Sequence, residues 1–169
     1  MPSLKPISPR TLSCEIFRLI DQEWMLVTAG TMKRWNTMTA SWGGLGTLWN
    51  RPVAFCFVRP TRYTYGFMEK SRRFTLSFFS RGYRKQLLFC GTKSGRDVDK
   101  AKATGLTPVA GAQGTVYFKQ ARMVFECRKL YFQDIQPDNV LDRSIHKLYP
   151  KKDYHRMYIG EVTRLLVRR

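Results

Sequence analysis

Residues 35–46 read WNTMTASWGGLG, and the interpretation of the whole fold depends on this stretch. It carries no apolar stripe at the 3.6-residue helical period, and its glycines would end a helix. It is too polar for a core strand and has too many large side chains for a solvated loop. Its glycines and short polar side chains leave backbone amides accessible, and a row of amides can match the nitrogens and carbonyls of a flat polar heterocycle. On composition alone, a polar turn between two strands is the simpler alternative.

Length and composition predict a single folded domain over residues 1–169. Hydrophobic residues make up 43% of the chain and aromatic residues 14%, which is enough to bury a core. The longest apolar run, VAFCFV at 53–58, is far shorter than the roughly 20 residues of a membrane-spanning helix. The N-terminal residues lack the apolar centre of a signal peptide. We therefore expect a cytoplasmic protein without a membrane partner.

The four cysteines lie at positions 14, 56, 90 and 127, at least 34 residues apart, and form no CxxC pair. Structural zinc sites usually take their ligands from close pairs, so this spacing predicts no metal site. Cys56 and Cys127 lie inside apolar runs, which indicates small buried side chains rather than disulfides.

The formal net charge of +18 attracts anions of any kind, and nucleic acid is one candidate partner. Between residues 59 and 100, eleven Lys and Arg residues accompany three acidic residues. These cations are interleaved with aromatic residues and glycines instead of forming a tail or a single run. Such a distribution suits a phosphate-bearing ligand at least as well as a nucleic-acid duplex.

Strand patterns outnumber helix patterns along the chain. Apolar, aromatic and β-branched runs predict strands at 51–60, 72–79, 114–133 (two strands or one bent strand), 154–167, and 12–29 (two strands joined near Asp21 and Gln22). Within the last strand, Gly160 indicates a bulge or a close backbone approach. Cap and periodicity signals predict helices at 80–91, 94–105, 137–149, and 62–71 with Thr61 as the N-cap. The prediction is a mainly β, barrel-like fold with a few short helices.

Residues 58–65, VRPTRYTY, resemble a phosphate ligand set. Arg59 and Arg62 offer bidentate forks, and a threonine at a helix start adds a hydroxyl beside free amides. The alternative is an ordinary capped helix with solvated arginines, and taken alone this segment favours it.

Residues 90–100, CGTKSGRDVDK, place amides, a hydroxyl and two cations before a predicted helix N-terminus, where the helix dipole is positive. The P-loop spacing is absent, and a polar turn before a capped helix is the alternative. Considered together, the three segments offer amides for a flat ring and two sets of phosphate ligands. Flavin mononucleotide (FMN) has both a flat ring and a phosphate.

Several motifs also occur in a familiar order: WNTMTASWGG, RPVAFCFVRPTRYT, FCGTKSGRDVDK, ECRKLYFQD and DYHRMYIGEV. In that order they resemble the flavin reductase-like family with the FMN-binding split barrel, and most of all its flavoredoxin-like branch. The resemblance extends from about residue 12 to 166. It implies a homodimer of split β-barrels with FMN near the subunit interface.

The resemblance also implies the site residues. The isoalloxazine ring and ribityl chain of FMN would face Asn36, Thr37, Met38, Thr39 and Ser41. The ribityl phosphate would lie toward Arg59, Thr61, Arg62, Tyr63 and Thr64. The phosphate end of the site would be completed by Ser94, Gly95, Arg96 and Lys100. His155 would lie where a nicotinamide can approach. No catalytic side chain is assigned, because flavin N5 accepts hydride directly. Cys90 is expected to be packed rather than redox-active.

Three classes of function follow from these observations. The first is an NAD(P)H-dependent flavin reductase, and the second is a flavoredoxin-like electron carrier that exchanges electrons with a partner protein. The third is a basic nucleic-acid-binding barrel, although no sequence-specific binding is expected because the cations form no reading helix or arm. The sequence leaves open the choice between the first two, the choice of NADH or NADPH, and the final acceptor. The charge of +18 is higher than expected for the family.

Overall fold

The computed structural model describes residues 3–168, which form ten β-strands and three α-helices. The strands are β1 (Leu4–Ile7), β2 (Met25–Thr31), β3 (Arg34–Ala40), β4 (Gly43–Leu48), β5 (Arg51–Val58), β6 (Arg73–Phe78), β7 (Pro108–Ala110), β8 (Val116–Phe118), β9 (Met123–Asp134) and β10 (Arg156–Arg168). The α-helices are α1 (Tyr63–Lys70), α2 (Arg84–Thr92) and α3 (Lys100–Thr104). A π-helix covers Arg18–Glu23, and 3₁₀ turns cover Pro9–Thr11, Arg81–Tyr83, Ala112–Gly114, Pro137–Asn139 and Arg143–Leu148. None of these helices is both long and apolar enough to cross a lipid bilayer.

The main sheet closes on itself because its two end strands are consecutive in the chain. Seven antiparallel strands run in the order β3-β2-β6-β9-β10-β5-β4, and β1 pairs with β10. Only Ser41 and Trp42 separate β3 from β4. The three Cα steps from Ala40 to Gly43 span at most about 11 Å, so the two edges must come together. The predicted mainly β fold with a few short helices is thus confirmed, and the barrel is split between β3 and β4.

Both faces of the central strands are buried, because successive side chains of a strand point to opposite sides of the sheet. Met25 and Val27 of β2 belong to the larger core cluster, which draws on six barrel strands and fills the barrel. Leu26 belongs to a second cluster, in which it packs with Leu87 and Cys90 of α2. Helix α2 therefore covers the outside of the barrel, and the chain from 90 to 100 starts beside β3.

Gly160 marks an irregularity in β10, as its sequence context predicts. The pairing of β10 with β9 shifts register between Ile159 and Gly160. A Cβ atom at position 160 would lie 2.6 Å from Phe74 Cζ, so only glycine fits against this ring. The register shift and the close contact with Phe74 agree with the expectation of a bulge or a close backbone approach.

The strand predictions hold for 51–60, 72–79, 114–133 and 154–167, and half of the prediction for 12–29 is wrong. Residues 25–31 form β2, but residues 18–23 form the π-helix. In the first half, Ile16 lies three and four residues before Leu19 and Ile20, which is a helical spacing rather than a strand alternation. Leu19 and Ile20 are the two that become buried.

Three helix predictions need correction. The N-cap position of α1 is Arg62 rather than Thr61, and no side chain there bonds a backbone amide. The helix predicted for 94–105 begins only at Lys100, because the Asp99 carboxylate caps it by accepting from Lys102 N at 3.0 Å. Residues 137–149 form two 3₁₀ turns instead of a helix. Neither turn buries a side chain, so no packed apolar face sustains an α-helix there.

Residues 35–46 form β3, the link and β4, so the view that this stretch is too polar for a core strand is wrong. Asn36, Thr37 and Met38 are all buried. The polar side chains are accommodated because each has a partner: Thr37 Oγ1 lies 2.8 Å from Thr28 Oγ1, and Asn36 Nδ2 donates to Thr64 Oγ1 at 2.7 Å.

Candidate functional site

A cavity of about 130 Å³ lies where the start of α1, the turn after α2 and the edge of β3 meet. Nine of the predicted site residues line it, namely Asn36, Thr61, Arg62, Tyr63, Thr64, Ser94, Gly95, Arg96 and Lys100. Thr92 and Lys93 also line it and were missed, although both belong to the quoted CGTKSGRDVDK motif. This cavity, called the phosphate cavity below for its chemistry, unites residues from three separate motifs.

Gly95 allows the turn after α2 to approach β3. A Cβ atom at position 95 would lie 1.9 Å from Asn36 Oδ1, closer than any real contact, and 2.8 Å from Asn36 Cγ. The same Asn36 amide donates to Thr64 Oγ1 on α1. Asn36 therefore lies between the turn after α2 and the start of α1, and any side chain at position 95 would displace it.

The first turn of α1 contributes amides. The N–H groups of Tyr63 and Thr64 have no acceptor within the helix, since they belong to its first turn. No side chain within residues 3–168 caps this end, so the positive end of the helix dipole faces the cavity. The absence of the expected Thr61 cap thus leaves donors available for an anion.

The turn at 94–98 is held by its own backbone. The amides of Asp97 and Val98 both donate to Ser94 O at 3.2 Å, and Arg96 N donates to Ser94 Oγ at the same distance. The exposed Arg96 guanidinium lies 5.1 Å from the centroid of the Tyr63 ring. The turn therefore places an arginine over the start of α1.

The cavity is cationic. Arg62 and Arg96 face it without a carboxylate partner among the described residues, and no acidic side chain lines it. Burial and then the neighbouring Arg59 lower the pKa of Arg62, which shows that its charge is incompletely solvated. An anion bound beside Arg62 would compensate that charge.

Lys100 lines the phosphate cavity, and its ammonium also has partners within the protein. Its buried ammonium donates to Thr37 O at 2.7 Å and to Cys90 O at 2.8 Å. Burial lowers the pKa of Lys100 to about 8, with Cys90 opposing the shift and Arg62 adding to it. Lys100 therefore joins β3 to α2 and supports the cavity wall. Cys90 is buried and packed, as expected, and burial raises the pKa of its thiol to about 11.

The structure gives the side chains of most predicted ring contacts other partners. Thr37 bonds within the barrel, Met38 belongs to the main core cluster, and Thr39 Oγ1 donates to Leu87 O on α2. Ser41 is half-buried at the β3–β4 link. Contact of these residues with a flavin ring stays a prediction. Because the side chains of Thr37, Met38 and Thr39 have other partners, their contact with the ring would involve the backbone.

Arg59 does not line the phosphate cavity, and its predicted place toward the phosphate stays a prediction. Its guanidinium forms an ion pair with Asp153 at 3.0 Å and donates to Leu148 O at 2.8 Å. It also lies 5.0 Å from the centroid of the Tyr149 ring. The sequence could not show this, because the carboxylate that holds Arg59 lies 94 residues away in the chain.

His155 lies in an aromatic pocket beside this ion pair. Its Nδ1 is 2.9 Å from the Tyr149 hydroxyl, and its ring is 4.9 Å from that of Trp42 at the β3–β4 link. Burial, followed by Arg59, lowers the pKa of His155 from 6.5 to about 4, with Asp153 opposing the shift. The imidazole is therefore neutral at pH 7. Trp42 and Asp153 were missed, although both stand in quoted motifs.

The flavin reductase like domain model matches residues 17–169 of the chain. The chain belongs to the flavin reductase-like family. No curated protein matches this member of the family. Among solved structures, it is similar to a flavoredoxin from Desulfovibrio vulgaris (Miyazaki F), with 25% identity and a TM-score of 0.67, covering 96% of this chain and 75% of that one.

Two further solved structures share the fold of this flavin reductase-like protein. An FMN-binding domain of a flavin reductases-like enzyme from Shewanella baltica OS155 has a TM-score of 0.71 and 17% identity, covering 99% of this chain and 78% of that one. An NADH:FAD oxidoreductase from Streptomyces globisporus C-1027 has a TM-score of 0.66 and 18% identity, covering 87% and 75%. These similarities agree with a split barrel.

The lowered pKa of His155 predicts a specific loss of stability in acid. Between pH 6.5 and about 4 the unfolded chain binds a proton at His155 that the folded protein does not bind. The free energy of unfolding should therefore fall as the pH drops through this window, by up to about 3 kcal/mol from this residue. Urea unfolding at a series of pH values checks this by comparing the wild type with His155→Gln.

In that comparison, the wild type should lose more stability than His155→Gln between pH 7 and pH 4. The control His146→Gln alters the other histidine and keeps His155, so it should follow the wild type. Parallel curves for the wild type and His155→Gln would show that the imidazole is not buried in its neutral form.

Proposed function

We propose that the chain binds FMN with its phosphate in the phosphate cavity and acts as an NAD(P)H-dependent flavin reductase. The observation that supports this best is the composition of that cavity. Five hydroxyl-bearing side chains, the free amides of α1 and two guanidinium groups converge there, and among residues 3–168 neither guanidinium has a carboxylate partner and no carboxylate lines the cavity. Such a donor set matches a phosphate dianion, which offers acceptors only.

The close contact between Gly95 and Asn36 supports the fit to a phosphate. Phosphate binding in a small cavity needs backbone amides to approach the ligand, and glycine permits that approach. Arg62 and Arg96 would form charge-assisted hydrogen bonds to the phosphate, while Ser94 and Thr61 would donate from their hydroxyls. Lys100 would keep the two walls together without touching the ligand.

Bound FMN supplies hydride-accepting chemistry at N5, and the protein supplies binding, orientation and electrostatics. The neutral His155 and the partly exposed Trp42 form an aromatic surface at the split of the barrel, where a nicotinamide ring can stack. Arg59 and Arg62 both lower the pKa of His155, so this surface lies within electrostatic reach of the phosphate cavity. An anionic donor would therefore be attracted to it.

The similar proteins support the same assignment. The Desulfovibrio neighbour is a flavoredoxin, the Shewanella neighbour binds FMN, and the Streptomyces neighbour is an NADH:FAD oxidoreductase. The second candidate function for this chain is therefore a flavoredoxin-like carrier that holds FMN without nicotinamide activity.

A homodimer is part of the proposal, because the monomer exposes large apolar side chains. Leu141 and Phe17 are more than 90% exposed, and Trp49 and Phe132 are about half exposed. Surfaces of this kind usually mark contacts between proteins, and two-fold dimers are the commonest assembly. Sedimentation should give twice the chain mass of 19.8 kDa. A stable monomer that binds FMN would contradict a site at the subunit interface.

The phosphate assignment predicts that the apoprotein binds FMN more tightly than riboflavin. Each hydrogen bond to a charged group contributes about 1.5–3 kcal/mol, which corresponds to about tenfold or more in affinity. Arg96→Ala should reduce the preference for FMN and leave the fold intact, because the side chain is exposed. Gly95→Ala should reduce it by displacing Asn36. Flavin fluorescence titrations measure the affinities of the wild type and of both variants for FMN and riboflavin.

The control is Arg143→Ala, which removes an exposed arginine far along the chain and should keep the wild-type preference. Equal affinities of the wild type for FMN and riboflavin would contradict the assignment of the flavin phosphate to this cavity.

Addition of NADH or NADPH to the FMN-loaded protein without oxygen separates the two candidate functions. A reductase should lose its yellow colour when one of the two donors is added, and the faster donor identifies the nucleotide that it uses. Absorbance in a stopped-flow instrument records the change. Protein that stays yellow with both donors overturns the reductase and favours the carrier. Protein that takes up no FMN overturns both.

A further inference from the structure

We propose that Tyr149 and Tyr154 form a proton-coupled redox pair, through which the protein gives single electrons to organic peroxyl radicals at its surface. The two phenol rings are stacked, with their centroids 4.3 Å apart and an angle of 19° between their planes. These tyrosines, with the two histidines bonded to them, are called the tyrosine relay below. The source of the electrons rests on the proposed function, which supplies reduced flavin near the split of the barrel.

Each tyrosine of the relay has its own proton acceptor. The Tyr154 hydroxyl lies 2.5 Å from His146 Nδ1, and the Tyr149 hydroxyl lies 2.9 Å from His155 Nδ1. The chain has only these two histidines, so both of them are bonded to a tyrosine of the stacked pair. These distances are short enough for a neutral imidazole to accept the phenol proton.

A hydrogen-bonded base decides how readily a phenol loses an electron. The phenol keeps its proton at pH 7, because its ordinary pKa is about 10. Removal of an electron makes the O–H group strongly acidic, and a base at hydrogen-bond distance takes the proton in the same step. Tyr131 provides the contrast, because its hydroxyl donates to the amide oxygen Gln133 Oε1, which does not act as a base at neutral pH.

The relay leads from the surface to the split of the barrel. Tyr154 and His146 are partly exposed, whereas Tyr149 is buried. The ring of His155 lies 5.6 Å from that of Tyr149 and 4.9 Å from that of Trp42, which stands in the β3–β4 link. Five neighbouring rings, from Trp42 to His146, therefore form a continuous path along which an electron can pass.

The two tyrosines differ in how readily they are oxidised. Burial and then Arg59 lower the pKa of His155 to about 4, so a proton received from Tyr149 is held unfavourably there. His146 is partly exposed, and water can stabilise a charge on it. The radical is therefore more stable on Tyr154, at the surface, and Tyr149 is the bridge to the interior.

The surface end of the relay favours an organic oxidant over an ionic one. Ile145 and Leu148 belong to the same 3₁₀ turn as His146, and their side chains are 39% and 49% exposed. Exposed apolar side chains of this kind offer contact to an apolar molecule. A peroxyl radical on a hydrocarbon chain has that apolar character and accepts a single electron.

Electrons and protons balance in two steps. In the first, an electron passes from Tyr154 to the peroxyl radical ROO•, while the phenol proton moves to His146 and a neutral tyrosyl radical is left. The anion ROO⁻ takes up the proton of His146 through water and becomes the hydroperoxide ROOH. In the second step, the Tyr154 radical receives one electron from reduced flavin through Tyr149 and regains a proton from water. Two such cycles use the two electrons of one reduced flavin.

The test uses the apoprotein, so that the result does not depend on flavin binding. A flash-generated ruthenium(III) tris-bipyridine complex removes one electron, and electron paramagnetic resonance records the tyrosyl radical. Tyr154→Phe should remove most of the wild-type signal, whereas the matched control Tyr131→Phe should keep it. His146→Gln keeps a hydrogen-bond acceptor but no base, and it should slow radical formation at least about tenfold. Exchange into D₂O should slow the wild type more than His146→Gln.

Two further measurements test the oxidant and the inward path. Peroxyl radicals released by a thermal azo initiator bleach an indicator dye, and the wild-type apoprotein should protect the dye longer than Tyr154→Phe does. With FMN bound and chemically reduced without oxygen, the flash-generated radical should decay faster than in the apoprotein. Tyr149→Leu, which removes the bridging ring, should bring the decay back toward the rate of the apoprotein.

If FMN fails to bind while the radical in the apoprotein still depends on Tyr154 and His146, the relay is confirmed and the proposed function is wrong. A signal that Tyr154→Phe leaves unchanged, or a rate that His146→Gln leaves unchanged, overturns the proposal. Equal protection of the dye by the wild type and Tyr154→Phe overturns peroxyl radicals as the oxidant. A decay that bound, reduced FMN does not accelerate overturns the path through Tyr149.

Discussion

The site depends on one buried cation, the ammonium of Lys100, which is bonded to main-chain carbonyls of β3 and α2. Burying an ammonium is costly unless its hydrogen bonds are satisfied, so the contact is stable only when the two elements are at the correct distance. At that distance the turn at 94–98 lies against Asn36, and a glycine is required at position 95. A single buried interaction therefore sets the spacing of the phosphate cavity.

The distribution of ion pairs explains how a chain of net charge +18 acquires a localised anion site. Its few carboxylates are used at other places, for example by Arg59 through Asp153 and by Arg156 through Glu69 and Asp134. Among residues 3–168, Arg34, Arg62 and Arg96, which lie around α1 and the β2–β3 hairpin, have no such partner. These cations line two neighbouring concave surfaces, the phosphate cavity and the groove between the β2–β3 hairpin and α1, and an anion bound there would meet several positive charges at once.

The His155 region shows that the role of a residue depends on the groups that surround it in the fold. The same Arg59 that would be a phosphate ligand by its position in the sequence becomes part of the wall around an imidazole, since Asp153 and Leu148 O hold it there. The result is a neutral histidine beside Trp42, at the split of the barrel. Burial and a fixed positive charge, rather than a catalytic carboxylate, determine its protonation state.

The sequence by itself determined most strands, the order of the family motifs and nine of the residues that line the phosphate cavity. These features are local, because turn chemistry, strand patterns and helix ends depend on neighbouring residues. Only the tertiary structure decided that Asn36, Thr37 and Met38 are buried in β3, that Arg59 pairs with Asp153 outside the phosphate cavity, and that the Lys100 ammonium bonds carbonyls of β3 and α2. Each of these outcomes depends on a partner distant in sequence: Thr64 for Asn36, Asp153 for Arg59, and the Thr37 and Cys90 carbonyls for Lys100. Such partners meet only when the sheet curls into a barrel, and no local pattern records that meeting.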